Sequence, residues 1–134
     1  MTLDELRALL PPNQSAFIST GALPDGRYFA PRYRYKYFCV FENRNAYIYY
    51  FVEHYFSHTN IGRSGAIRAL MASQNSVPLE KVVMASRLAS VNVTESELSA
   101  VIRTYSNDLA IVTDSHGRCS VRRKDNFDGN VYLV

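Results

Sequence analysis

The 134-residue chain has no tryptophan, six glycines, five prolines and only two cysteines. What is missing excludes several classes of protein. No run of about 18 apolar residues occurs, so no segment reads as a membrane-spanning helix. Cys39 and Cys119 lie far apart and neither sits in a CxxC pair. That spacing argues for two reduced thiols and against a disulfide framework, and Cys39 lies in an inert, apolar Phe-Cys-Val-Phe run. No GxSxG, P-loop or GxGxxG pattern occurs, and HExxH is absent. There is no internal repeat and no low-complexity tract. The opening Met1-Thr2-Leu3-Asp4-Glu5 is acidic and unlike a leader, so the expected location is intracellular, nuclear or cytoplasmic. Asn13-Gln14-Ser15 and Asn92-Val93-Thr94 match the glycosylation pattern, and in that setting they read as chance.

The remaining metal signal is thin. His54 and His58 are four apart beside Glu53, a spacing that puts two imidazoles on one helical face. A zinc enzyme needs a third ligand and a base, and His116 is the only other histidine. Gly62-Arg63-Ser64-Gly65 reads as a flexible junction rather than an anion cradle. The sequence therefore predicts no catalytic residue, no metal and no cofactor: not an enzyme.

What is present favours a globular domain. Hydrophobic residues make up 47% and charged residues 20%, and a chain this long buries about two-thirds of its unfolded surface without staples. The net charge of +3 is mild, short of the excess that marks a dedicated nucleic-acid binder.

Helix signals are strongest at the two ends. Thr2 and Glu5 form a capping box ahead of Leu3, Leu6, Leu9 and Leu10, and Pro11-Pro12 stops that helix. Thr94 and Glu97 form a second box, followed by Leu98, Val101, Ile102 and Tyr105 on one face. Leu79, Val82, Val83 and Leu88 predict a helix over 78–89 beginning at Pro78, and Ile67, Leu70 and Met71 one over 64–73. Leu109-Ala110-Ile111-Val112 then reads as a strand, Asp114-Ser115-His116-Gly117 as a turn, and Val131-Tyr132-Leu133-Val134 as a returning strand.

Residues 28–56 hold eight of the ten tyrosines, with Phe29, Phe38, Phe41, Phe51 and Phe56. Arg32-Tyr33-Arg34-Tyr35-Lys36-Tyr37 alternates strictly, predicting a strand with tyrosines inward and cations in water that continues to Phe41. Asn43-Arg44-Asn45 reads as a turn and Ala46–Val52 as the returning aromatic strand of a β-hairpin. Upstream, Leu23-Pro24-Asp25-Gly26-Arg27 predicts a tight turn and Ala16–Ser19 a short strand.

The expected fold is α+β: an N-terminal helix and Tyr-rich β-hairpin lobe over 1–58, then three helices plus a hairpin wing over 59–134. The spacings Ala66-Ile67-Arg68-Ala69-Leu70-Met71, Val82-Val83-Met84-Ala85-Ser86-Arg87-Leu88, Thr94-Glu95-Ser96-Glu97-Leu98 and Asn130-Val131-Tyr132-Leu133 resemble eukaryotic winged-helix modules. They are similar to those in the tail of an RNA polymerase III subunit and to storkhead-type domains. The resemblance covers about half the chain and carries over no functional residue.

Two functions follow as expectations. The first is a non-catalytic protein-interaction adaptor in a larger assembly, transcription-related or nucleic-acid-processing. Its warrants are Glu95 and Glu97 on the third helix, which oppose a phosphate backbone, and the aromatic excess. Some of Tyr47, Tyr49, Tyr50 and Tyr55 are expected at the surface or under a partner. The alternative is nucleic-acid binding through a basic wing loop, Arg122, Arg123 and Lys124, helped by Arg103 and Asn107 of the third helix. Arg32, Arg34 and Lys36 of the aromatic strand would add phosphate contacts. A homodimer would form if the Tyr47–Val52 strand were an open edge.

Overall fold

The computed structural model describes residues 1–11, 19–32, 35–57, 60, 69–70 and 76–125. Those residues form a mixed α+β chain with five helices and two small antiparallel sheets. The chain divides into two units, Met1–Tyr47 and Ile48–Val134. The boundary expected after residue 58 falls where 58 and 59 lie outside the described residues. No helix among the described residues is long and apolar enough to cross a membrane.

In the first unit, α1 (Leu3–Leu9) starts with the expected capping box, Thr2 and Glu5 each satisfying the other's backbone N–H. It ends at Leu10, which turns to extended backbone just before Pro11. Three strands follow: β1 (Gly21–Ala22), β2 (Tyr28–Arg32) and β3 (Tyr37–Phe41), in the order β1-β2-β3. The β1–β2 turn is the one expected, with Gly26 N–H donating to Leu23 O at 3.0 Å and Gly26 at φ +94°. Asp25 Oδ1 accepts the Arg27 backbone N–H, and this bond, together with the guanidinium beside it, holds the exposed Asp25 carboxyl below its ordinary value. Leu6, Leu10, Leu23, Phe29 and Phe38 make the core of this unit. Pro31 sits past the last β1 pair, where its missing N–H breaks no ladder bond on that side.

The alternating Arg–Tyr segment departs from expectation. Arg32 pairs with Tyr37, so residues 33–36 connect the two strands, and Tyr35 and Lys36 form a turn. Pairing Tyr28-Phe29-Ala30 with the Phe38–Phe41 run brings Phe29 and Phe38 edge to face at 6.1 Å. Tyr35 takes a left-handed conformation at φ +68°, and Tyr35 and Tyr37 are about half exposed at 50% and 52% rather than buried. Tyr33 and Arg34 lie outside the described residues.

The second correction is larger. Residues Ala46–Val52 are not a strand; they belong to α2 (Arg44–Tyr55). The Asn43-Arg44-Asn45 segment read as a turn is the helix start: Asn43 Oδ1 accepts the Ala46 N–H at 2.8 Å, the geometry of an N-cap. Ile48, Val52 and Phe56 then recur four apart and are all buried. The strand propensity of Tyr, Ile, Phe and Val is overridden by that spacing. With no strand at 47–52, no edge exists there for a second copy to extend, and the expected route to a homodimer is removed.

In the second unit, β4 (Val77–Pro78) leads into two single helical turns, α3 (Leu79–Val82) and α4 (Ser86–Ala89). The continuous helix expected over 78–89 is broken at Ala85, whose ψ is 136°. The reason is geometric. At about 100° per residue, an unbroken helix would put Leu88 on the face opposite Leu79, whereas the break buries Leu79, Val82 and Leu88 together. Next, α5 (Glu95–Tyr105) begins as expected at Thr94, whose hydroxyl accepts the Glu97 N–H. Leu98, Val101 and Ile102 are buried; Tyr105, expected on that stripe, is 49% exposed.

Two strands close the unit, β5 (Leu109–Thr113) and β6 (Cys119–Arg123), and the sheet order is β4-β6-β5. The turn at Asp114–Gly117 stands where expected, with Gly117 at φ +78°. The returning strand does not: it is Cys119–Arg123, and Val131–Val134 lie outside the described residues. Only residues 69–70 of the helix expected over 64–73 are described, and they are helical.

Candidate functional site

The second unit carries a polar groove of about 820 Å³ between the outward face of α5 and the β5–β6 hairpin. Helical spacing builds one wall. Leu98, Val101 and Ile102 point inward, so Glu95, Ser96, Ser99 and Arg103 share the outward face and line the groove. The other wall comes from the hairpin turn and from α3. Asp114 Oδ1 accepts the backbone N–H of both His116 (2.8 Å) and Arg118 (3.0 Å), which fixes the turn and sets Asp114 and Arg118 on the rim. Glu80, in the first turn of α3, completes the set.

Its electrostatics are mixed, with an acidic lean. Glu80, Glu95 and Asp114 supply three carboxylates against the guanidiniums of Arg103 and Arg118. Glu95 and Glu97 sit in the first turn of α5, where the helix dipole favours anions. That stabilises the helix and makes its N-terminal end negative.

The 122–124 segment is not the loop that was expected. Arg122 and Arg123 are β6 residues, paired with Ala110 and Leu109, and only Lys124 lies beyond the strand. Arg123 serves the fold: its Nη1 donates to the Phe56 carbonyl at 2.6 Å, and its Nε and Nη2 hold Asp125. Its side chain is only 14% exposed. The Nε of Arg122 is buried too. Lys124, Arg103 and Asn107 are exposed.

In the first unit, Arg32 and Lys36 are exposed, the former with Nη1 3.9 Å from Cys39 Sγ. The four tyrosines of α2 separate by exposure. Tyr47 is wholly buried, its ring 5.5 Å from Tyr28 and 5.4 Å from Phe41, its hydroxyl 2.6 Å from Thr20 Oγ1. Tyr50 is 47% exposed; Tyr49 and Tyr55 are half-buried, and burial raises the Tyr55 phenol above its ordinary 10.0. Tyr47 is thus a packing residue, and Tyr50 is the ring at the surface.

His54 is exposed on α2, and His58 lies outside the described residues. Among the described residues no group of three or more His, Cys, Asp or Glu could hold a metal ion. Cys119 Sγ is 3.6 Å from Thr113 Oγ1, a hydroxyl and not a base. The Asp114–Arg118 rim and Glu80 are not among the residues that the sequence singles out; the Asp-x-x-Gly spacing is the available signal, and by itself it marks a turn.

No family model, no curated protein and no solved structure matches the chain.

Proposed function

We propose that the chain is a non-catalytic protein-interaction adaptor whose second unit is built as a winged helix. Helices followed by a hairpin, with β4 ahead of α3 closing on β6, support the winged-helix reading. The resemblance to the polymerase-subunit and storkhead-type modules motivates placing it in a transcription-related or nucleic-acid-processing assembly. The observation that supports the adaptor reading is the acidic lean of the α5–hairpin groove: a duplex phosphate backbone would meet Glu80, Glu95 and Asp114 against only Arg103 and Arg118.

The nucleic-acid alternative would draw on the exposed Arg32, Lys36, Arg103, Asn107 and Lys124. Of the three wing cations, Arg123 is spent on Phe56 and Asp125, and Lys124 is the one that is exposed. Recovery of tagged full-length chain from its native cell, with and without nuclease, tests the reading. Nuclease-resistant protein partners are expected; recovery of nuclease-sensitive complexes alone overturns it.

A further inference from the structure

Among the described residues the outer edge of β5 has no partner strand, and a pit opens beside it. In the hairpin, Lys124 N–H donates to Asp108 O at 2.8 Å and Asp114 N–H to Arg118 O at 2.9 Å. Antiparallel bonding alternates, so residues 108, 110, 112 and 114 bond across to β6. Leu109, Ile111 and Thr113 present their N–H and C=O on the opposite side. Leu109 N–H confirms that direction by donating to Ser106 Oγ at 3.0 Å. Among the described residues, no hydrogen bond covers the backbone groups of Ile111 or Thr113 on that side. Sheet edges are ordinarily blunted by charge or proline; between Leu109 and Thr113 this edge has neither.

Beside the edge lies a pit of about 210 Å³, between the end of α5 and β5, with a mixed lining of Ile102, Leu109, Ala110 and Ile111 and the polar Ser106. A space of about 150 Å³ has room for a benzene ring, so the pit has room for one branched aliphatic side chain against Ile111. Arg103 and Lys124 line it too, and among the described residues neither makes a salt bridge. The pit therefore favours carboxylates beside the aliphatic residue. A second copy is a poor occupant: antiparallel pairing centred on Ile111 would set Asp108 against Asp114 of the other copy.

We infer that β5 accepts an extended segment of a partner protein as an added strand, its aliphatic residue in the pit and flanking carboxylates on Arg103 and Lys124. This deepens the adaptor reading and rests on it. The probe is a phage-displayed library of random linear peptides selected against the full chain. Enriched peptides should alternate in β-forming residues and carry an aliphatic residue beside Asp or Glu. A selected peptide should slow amide exchange at Ile111 and Thr113. Arg103→Glu with Lys124→Glu, both at exposed positions, should melt like the parent and weaken binding about tenfold. Enrichment of basic peptides, no enrichment, protection elsewhere, or unchanged affinity in the double variant overturns the inference, as does a stable dimer by light scattering. The two readings fail separately. If the double variant retains every nuclease-resistant partner of the parent, the edge is wrong and the adaptor stands. If acidic peptides bind the edge while the parent recovers only nuclease-sensitive complexes, the adaptor is wrong and the edge stands.

Discussion

The helices α2 and α5 are of similar length but announce themselves differently in sequence. In α5, a threonine cap and the i, i+3, i+4 spacing of Leu98, Val101 and Ile102 agree with each other. In α2, the cap is an asparagine inside an Asn-Arg-Asn segment that also fits a turn, and the residues after it are aromatic and β-branched. Local chemistry that points one way is readable; propensity that conflicts with spacing is settled by burial.

The largest effect should come from the α5 stripe. Ile102→Asp places a carboxylate where the side chain is 1% exposed, a cost of roughly 4 kcal/mol or more. Thermal melts by circular dichroism should show the cooperative transition lost, while Tyr105→Asp, on the exposed side of the same helix, should melt like the parent. A cooperative Ile102→Asp protein would mean the inward face is misassigned. Next in size, Tyr50→Pro tests whether 47–52 is helical. In a helix interior it should cost about 3 kcal/mol, whereas Tyr50→Ala at this half-exposed site should leave urea midpoints nearly unchanged.

The caps come third. Asn43→Ala and Thr94→Ala should each lose about 1 kcal/mol in urea unfolding. A neutral Asn43→Ala would return the segment to the turn reading. Gly117→Ala should cost roughly 1 kcal/mol through backbone strain alone, because a Cβ there meets nothing within 4 Å.

The smallest effect is a pH dependence. Burial raises the Tyr55 phenol above 10.0, so its neutral form is favoured in the fold. Its contribution is complete below the unfolded value and is lost as pH rises through the folded one. Stability should therefore decline above about pH 10, and Tyr55→Phe should flatten that decline.

Much of the architecture was legible, for reasons that differ by element. The Thr2–Glu5 box, the Thr94 cap and the Gly26 and Gly117 turns are contacts over three or four residues, so the sequence displays both partners at once. The strand Cys119–Arg123 was not legible because only Val121 is an inward apolar residue, while Val131–Val134 looked more strand-like. The strict Arg–Tyr alternation misled because alternation records which faces differ, not where the chain turns. Arg103 shares the outward face of α5 with Glu95, whereas Asn107, expected with it, lies past the helix end at Tyr105; the Asp114–Arg118 wall opposite needed the hairpin register.

The acidic character of the α5–hairpin surface is the claim most exposed to direct measurement. Labelled duplex and single-stranded oligonucleotides should be titrated against the intact chain at low and moderate salt. The account predicts no binding at either. Micromolar association that weakens steeply with salt and vanishes in Arg118→Glu with Lys124→Glu would contradict it, because only phosphate contacts release counterions in that way.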